Sequence, residues 1–280
     1  MRGVLLVGAV ALVVAACGGG SSSSGSKTAS STGGAAPSSI KSAGKIVYCS
    51  DITYPPEEYY KGTTPAGSDI DIGTTVAQRM GVKAEFDNTG FDGIIAALES
   101  KKCDAIISGM SDTPERRKQI DFVEYMNVGQ TLMANKAHTQ RVSSLMDLSG
   151  KSVAMETGTT ELALLQATNK KLKAAGKPPI QIQSFPKDTD AANALKTGKV
   201  DFYFGDSPVV INYTRLDPKD FTLGSPQFAV VPVAIGMRKD DPELRTAVKA
   251  AITKMYANHS MCTILGKWRM QAFALPPHKC

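Results

Sequence analysis

From Lys45 onward the sequence alternates short runs rich in Val, Ile, Tyr and Phe with amphipathic segments, and this alternation restricts the fold more than any other feature. The strand candidates are Lys45–Cys49, Lys83–Asp87, Asp104–Ser108, Ser152–Glu156, Ile180–Phe185, Asp201–Phe204 and Val230–Met237. Helical periodicity falls between them. Phe91, Ile94, Ile95 and Leu98 share one helix face, and Leu244, Ala247, Val248, Ala251, Ile252, Met255 and Tyr256 continue the same spacing for three turns. Asp241-Pro242-Glu243 supplies an N-cap, a first-position proline and an acidic first turn. Strands that alternate with helices predict an α/β fold with parallel sheets, which bind ligands beyond the carboxyl ends of their strands.

The body also echoes itself. Ala97-Leu98-Glu99-Ser100-Lys101-Lys102-Cys103-Asp104 matches Ala194-Leu195-Lys196-Thr197-Gly198-Lys199-Val200-Asp201, with Ala, Leu, Lys and Asp repeated in place. Each copy ends a helix, turns and starts a strand. Two similar α/β lobes with a cleft between them are therefore expected.

The first 44 residues belong to a different class. Arg2 precedes an apolar run from Val4 to Ala16, shorter than the roughly 20 residues that a membrane-spanning helix needs. It reads as the core of a signal peptide over residues 1–16. The sequence Val14-Ala15-Ala16-Cys17 resembles the bacterial lipoprotein signal, in which the cysteine is acylated after cleavage. An ordinary secretory signal cut after Ala16 is the alternative. Residues 18–39 hold 9 Ser and 6 Gly. Such a segment buries too little apolar surface to offset its chain entropy. Residues 17–44 are expected to form an anchor cysteine and a flexible tether with a reach of roughly 25 Å.

Charge and motif content remove several functions. The formal net charge is +6, but it is scattered, with no basic stripe for nucleic acid. Ser149-Gly150-Lys151-Ser152 lacks the leading glycine of a phosphate-binding loop, because position 145 is Leu, and it leads into a strand. His138, His259 and His278 lie too far apart to suggest a metal site. No metal and no cofactor is expected. Apart from Cys17, four cysteines remain, without CxxC spacing. A Cys262–Cys280 disulfide is expected to staple the C-terminal tail, whereas Cys49 and Cys103 read as small apolar residues near strands.

Three segments look suited to binding. Ser111-Asp112-Thr113-Pro114-Glu115-Arg116 reads as a helix start with Thr113 at the N-cap and Pro114 at the first position. Arg116 in that first turn suits a carboxylate, and an Arg exposed to solvent is the plainer alternative. Glu156-Thr157-Gly158-Thr159-Thr160-Glu161 offers hydroxyls and backbone N–H groups after a strand, as an anion cradle or an ordinary capping turn. Asp206, at a strand's carboxyl end before Pro208, suits an ammonium or a helix cap.

Together with Asp51-Ile52-Thr53-Tyr54-Pro55-Pro56, Gly67-Ser68-Asp69-Ile70-Asp71 and Gly93-Ile94-Ile95-Ala96-Ala97-Leu98, these segments resemble bacterial extracellular solute-binding protein family 3, the amino-acid receptors of ABC importers. The resemblance covers residues 45–275. It implies a periplasmic-binding-protein-like type II fold, with two α/β lobes joined by two crossover strands near residues 128–134 and 228–234. Lobe 1 would comprise residues 45–130 and 232–280, and lobe 2 residues 131–231. It also implies roles for residues. Arg116 would hold the ligand α-carboxylate, assisted by Ser111, backbone groups at Gly109 and Ser111, and the Thr159/Thr160 turn. Asp206 would hold the α-ammonium. Tyr54 and Phe91 would wall the side chain, and Asp51 occupies a position that meets a cationic side chain in basic-amino-acid members.

The departures from the family pattern are informative. Glu57, followed by Glu58, stands where the family has an aromatic or apolar residue, Ser68 replaces an aliphatic or aromatic one, and Glu156 takes a place that faces the ligand side chain. Unpaired carboxylates in a closed cleft are costly, so Asp51 and Glu156 favour a basic amino acid. A Glu156–Lys187 pair would cancel that argument. The expected function is therefore an extracytoplasmic substrate-binding lipoprotein of an ABC importer, not an enzyme. Its partners would be a free amino acid, permease subunits and, through the lipid alone, the membrane. It would sit in the cell envelope, on the outer face of the cytoplasmic membrane or in a periplasm. The rivals are a small-carboxylate dehydratase on the same fold, with Glu156 as the unusual acid, and a tethered amino-acid sensor.

Overall fold

The computed structural model describes residues 34–138 and 141–280. The expected signal peptide, the acylated Cys17 and most of the tether lie outside them. The tether is expected to reach residue 44, but its last part is structured. Helix α1 (Ser38–Ala43) ends at Gly44 in the left-handed conformation, with φ 67°. Ile40 is 4% exposed and joins the core, and Ala36 packs against the same cluster. Lys83 N also donates to Gly44 O at 3.0 Å, so apolar packing and a backbone hydrogen bond together hold this short segment on the body.

The chain then runs through β1 (Lys45–Ser50) and a small antiparallel sheet of β2 (Thr53–Tyr54), β3 (Glu58–Lys61) and β4 (Thr64–Ala66). Next come α2 (Ser68–Arg79), β5 (Lys83–Asn88), α3 (Ile94–Glu99), β6 (Ala105–Ile106) and the long β7 (Ile120–Asn135). There follow β8 (Ser152–Glu156), α4 (Thr160–Ala174), β9 (Gln181–Phe185), α5 (Asp188–Lys196), β10 (Phe202–Asp206) and α6 (Ser207–Leu216). The last elements are β11 (Phe221–Leu223), β12 (Val230–Arg238), α7 (Pro242–Ala257) and α8 (Ser260–Lys267). Asp241 caps α7 as expected, its carboxylate accepting from Leu244 N at 3.0 Å.

The main sheet has the order β5-β1-β6-β12-β7-β10-β8-β9, with β11 also on β7. The first part of β7 pairs with β12 and its last residues pair with β10 and β11. One strand thus serves both halves of the sheet. The chain returns between Leu223 and Val230.

Side chains alternate across both halves because a strand has a period of two. Ile46 and Tyr48 of β1 join the core under α2 and α7, whereas Cys49 joins Ile94 and Leu98 on the opposite face. In the other half, Ala154 and Tyr203 pack toward Ala191, Leu195 and Val209, while Val153, Met155, Phe202 and Phe204 pack toward Leu165 and Leu172. Each half is buried on both faces, which explains why its strands read as continuous apolar runs. No helix among the described residues is long and apolar enough to cross a membrane.

The internal repeat is a shared device. After α3, Lys101 N donates to Leu98 O and Lys102 N to Ala97 O, both at 3.0 Å. After α5, Gly198 N donates to Leu195 O at 3.0 Å and Lys199 N to Ala194 O at 2.9 Å. The turn residues Lys101 and Gly198 have φ 62° and 72°. The aspartates that close the two copies also act alike: Asp104 Oδ2 accepts from Val47 N, and Asp201 Oδ2 from Ser152 N, each at 2.8 Å. Lys101 holds a conformation that costs an L-residue roughly 1 kcal/mol, so Lys101→Gly is expected to raise stability by up to about 1 kcal/mol. Chemical denaturation of the two proteins would measure it, and an unchanged or lower midpoint would refute it.

Two sequence expectations about local chemistry are corrected. Cys49 and Cys103 are not free apolar residues but form a disulfide across a sequence separation of 54, tying β1 to the segment before β6. Burial in one cluster brought them together, which no spacing rule reports. The Cys262–Cys280 bridge forms as expected. The helix expected from Thr113 is only a 3-10 turn over Arg116–Lys118, although Thr113 Oγ1 does accept from Arg116 N at 3.2 Å. The chain must enter β7 at Ile120, which leaves no room for another turn of helix.

Candidate functional site

Strands β1 and β6 in one half of the sheet run opposite to β8 and β10 in the other, so their carboxyl ends face each other across a cavity. All ten binding candidates from the sequence line it: Asp51, Tyr54, Phe91, Gly109, Ser111, Arg116, Glu156, Thr159, Thr160 and Asp206. Glu58, Ser108 and Glu161 complete the lining. Sequence reasoning assigns none of these three a role. Glu161 closes the cradle motif itself and Glu58 departs from the family pattern, so both carry a signal in their charge. Ser108 carries only its place at the end of an expected strand.

Arg116 stands in the turn before β7 and is half-buried. Its Nη1 donates to Ser111 O at 2.8 Å and its Nη2 to Gly158 O at 3.0 Å. The guanidinium carbon lies 5.3 Å from the centre of the Phe91 ring. Two carbonyls and one aromatic face thus fix the group, and three of its five N–H donors are left over. Burial lowers its pKa, and the charges of Glu161 and Asp206 oppose that shift. The approach of Gly158 depends on its lacking a side chain. Its φ is 84°, and a Cβ there would stand 3.0 Å from Asp92 Cα.

The cradle residues divide their work. Thr159 Oγ1 donates to Glu156 O at 2.9 Å, and Thr160 Oγ1 accepts from Gln130 Nε2 at 2.6 Å. The Thr159 side chain does not cap the start of α4, where the Glu161 carboxyl is drawn toward its own backbone N–H. Gly109 is less available than the sequence suggests. Its N–H donates to Asp69 Oδ2 at 2.8 Å, and Tyr125 Oη donates to the same oxygen at 2.6 Å. Gly109 shapes the wall, with only its carbonyl left to offer.

The acids dominate the electrostatics. Asp51 is internally engaged: Thr53 Oγ1 donates to its Oδ1 at 2.7 Å and Phe91 N to its Oδ2 at 2.8 Å. Glu58 Oε1 accepts from Ser108 Oγ at 2.9 Å, while Glu57 beside it is fully buried with both carboxyl oxygens unpartnered. Burial and the Asp69 charge raise both of these glutamates well above the ordinary carboxyl range. The two departures therefore point inward, held there by α2. Gly67, at φ 142°, sits so close that a Cβ would fall 1.9 Å from Glu57 O.

Glu156 is 4% exposed and its Oε1 has no partner. No ion pair reaches it among the described residues, so the pairing with Lys187 does not form, and Lys187 is exposed. Burial, with the nearby charges of Asp188 and Asp51, pushes its pKa up to about 10. Asp188 lies behind it, raised to about 7 by burial despite hydroxyl donors from Tyr203 and Tyr213. Asp206 precedes α6 at the cap position, yet its carboxylate makes no capping bond and Oδ1 has no partner. Burial and then Glu161 raise it well above its ordinary value. The cavity thus sets one fixed guanidinium, whose charge favours the ionised Asp206 and Glu161, against several buried carboxyl groups with unpartnered oxygens.

A family model described as bacterial extracellular solute-binding proteins, family 3, matches residues 46–271. The chain is 30% identical over 232 residues to the ABC transporter arginine-binding protein 1 of Escherichia coli, covering 81% of this chain and 91% of that one. It superposes with a TM-score of 0.75, at 27% identity, on an amino acid ABC transporter substrate-binding protein from Streptococcus pneumoniae bound to L-arginine. That match covers 82% of this chain and 96% of the other. An ancestral amino acid-binding protein, a precursor of cyclohexadienyl dehydratase, aligns with a TM-score of 0.74 at 31% identity, covering 82% of this chain and 97% of that one.

Proposed function

Because this chain belongs to the bacterial extracellular solute-binding proteins, family 3, we propose that it captures an amino acid with a cationic side chain for an ABC importer. The observation that carries the reading is the charge imbalance of the cavity, where one guanidinium faces carboxyl groups left without partners. A basic amino acid supplies what is missing. Its carboxylate takes the remaining donors of Arg116 and the N–H groups at the start of α4, and its ammonium takes Asp206. Its cationic tip lies toward Glu156, with Tyr54 and Phe91 beside the stem. The relatives named for arginine favour that ligand class.

Most of the lining residues are buried and they come from both halves of the sheet, so ligand entry is proposed to require the two halves to separate. The proposed cycle is opening and closing about β7 and the return between Leu223 and Val230, with the ligand favouring the closed form. Lobe 2 would span residues 131–231. Acylation at Cys17 after removal of residues 1–16 would hold the body outside the membrane, within reach of permease subunits. The protein would carry its ligand without transforming it.

Isothermal titration of the protein with the twenty amino acids and ornithine tests the reading. Arginine, lysine, ornithine or histidine is expected to bind at micromolar concentration or tighter, about −8 kcal/mol or better. Binding by none of them below millimolar concentration would refute it.

A further inference from the structure

The amino-acid reading leaves two cavity acids, Glu58 and Glu161, without a task, and Glu161 is the one that borders the start of α4. Glu161 is the second residue of α4, 2% exposed, and its Oε1 has no partner. The hydroxyl of Thr160 is 3.4 Å from its Oε2. No ion pair joins Glu161 to Arg116 within 4.0 Å among the described residues. The guanidinium instead spends two donors on the Ser111 and Gly158 carbonyls. Glu161 therefore makes no direct ion pair with Arg116, although each charge favours the other. It lines the same cavity as Asp206, which also has an unpartnered oxygen, Oδ1.

Two buried carboxyl groups with free oxygens on one wall repel each other unless something positive lies between them. We propose, resting on the amino-acid reading, that Glu161 is itself a ligand-binding residue that forms with Asp206 a two-carboxyl seat for the ligand's α-ammonium. An ammonium has three donors in a tetrahedral array, so it can satisfy both oxygens at once. The seat would make the site demanding of a primary α-amine, because a ligand without it leaves two buried acids facing each other.

The other titratable groups that face the pair are Arg116 from the turn before β7, Tyr54 from β2, and Asp188 and Glu156 from the same half of the sheet as α4, while the α4 backbone and the side chains of Thr159 and Gln130 favour the ionised Glu161. After burial, Glu161 is the foremost cause of the raised Asp206 titration. Acidification protonates the seat and weakens the hold on the ammonium, so affinity falls as pH falls. Removing the Glu161 charge lowers the Asp206 titration, and the carboxylate then survives to lower pH.

The test is ligand affinity as a function of pH for the wild-type protein and Glu161→Gln, with arginine as the probe. At neutral pH the variant is expected to bind about tenfold more weakly, the ordinary loss for one charged hydrogen bond. Its loss of affinity on acidification should begin at lower pH than in the wild type. Glutamine keeps the shape of the side chain, and a thermal melt without ligand, unchanged or higher, shows that the fold survives. Equal affinity in the two proteins, or a uniform loss with an unmoved acid limb, would overturn the proposal while leaving the amino-acid reading intact. A wild-type protein that binds no amino acid would overturn both.

Discussion

Arg116→Ala is expected to abolish amino-acid binding, with a loss of at least about a thousandfold for every ligand that the wild-type protein takes. That corresponds to about 4 kcal/mol, within the range for breaking one side of a buried charge pair. The size reflects the groups that would remain. The ligand carboxylate would enter a cavity whose other charged walls are Asp206, Glu161, Glu156, Glu58 and Asp51. No second guanidinium or ammonium lines it among the described residues. The Ser111 and Gly158 carbonyls would also lose the donors that occupy them now, adding two acceptors to an already acidic site. Calorimetric titration of the variant is the measurement. Retained affinity within tenfold of wild type would show that the guanidinium is not the carboxylate anchor. Arg116→Lys is expected to recover little, because an ammonium cannot span both carbonyls and also pair bidentately.

The second large effect is expected at Glu156. Replacing it with glutamine should weaken arginine and lysine by about 10- to 100-fold while leaving any neutral amino acid that binds almost unchanged, since only the cationic tip loses a partner. Glu156→Lys should go further and reject cationic side chains altogether. The difference between ligands is the decisive quantity. A general loss would mean that Glu156 supports the cavity without reading the side chain. The ligand-free protein supplies a pH check. Glu156 ionises at 4.5 ordinarily and is raised to about 10 in the fold. The folded protein therefore holds a proton that the unfolded chain releases, and stability falls as pH rises between those values. Thermal melts of Glu156→Gln without ligand should lose that part of the slope. A cationic ligand reverses the logic by favouring the ionised form, so wild-type affinity for arginine is expected to rise with pH across the same window.

Much of this site is legible before any fold is known, and the reason is local. Arg116, Asp206 and Thr159 each lie at the carboxyl end of a strand or the start of a helix, and turn chemistry marks those places in sequence. The strand Ser152–Glu156 has the same bounds in sequence and in structure, because its apolar run and its flanks agree. The helix expected at Thr113 is cut short. Its capping signal is real, but the start of β7 at Ile120 limits its length. Periodicity does not mark the long strand β7, and only the family resemblance implies a crossover within it, because its run of polar and apolar residues serves two half-sheets with different faces.

The sequence by itself determined the alternating α/β order, the signal-like start, the family pattern and the residue types at the strand ends. These depend on periodicity, capping and composition, which act over a few neighbouring residues. Tertiary structure alone decided which charges are paired. It joined Cys49 to Cys103, folded α1 back onto the core and turned Glu57 and Glu58 inward. It also engaged Asp51 with local donors while leaving Glu156, Glu161 and Asp206 with unpartnered oxygens. The physical reason is that a carboxyl group's character is set by its surroundings in three dimensions. Desolvation and the nearest charges act across residues far apart in the chain, and no spacing along the chain records them.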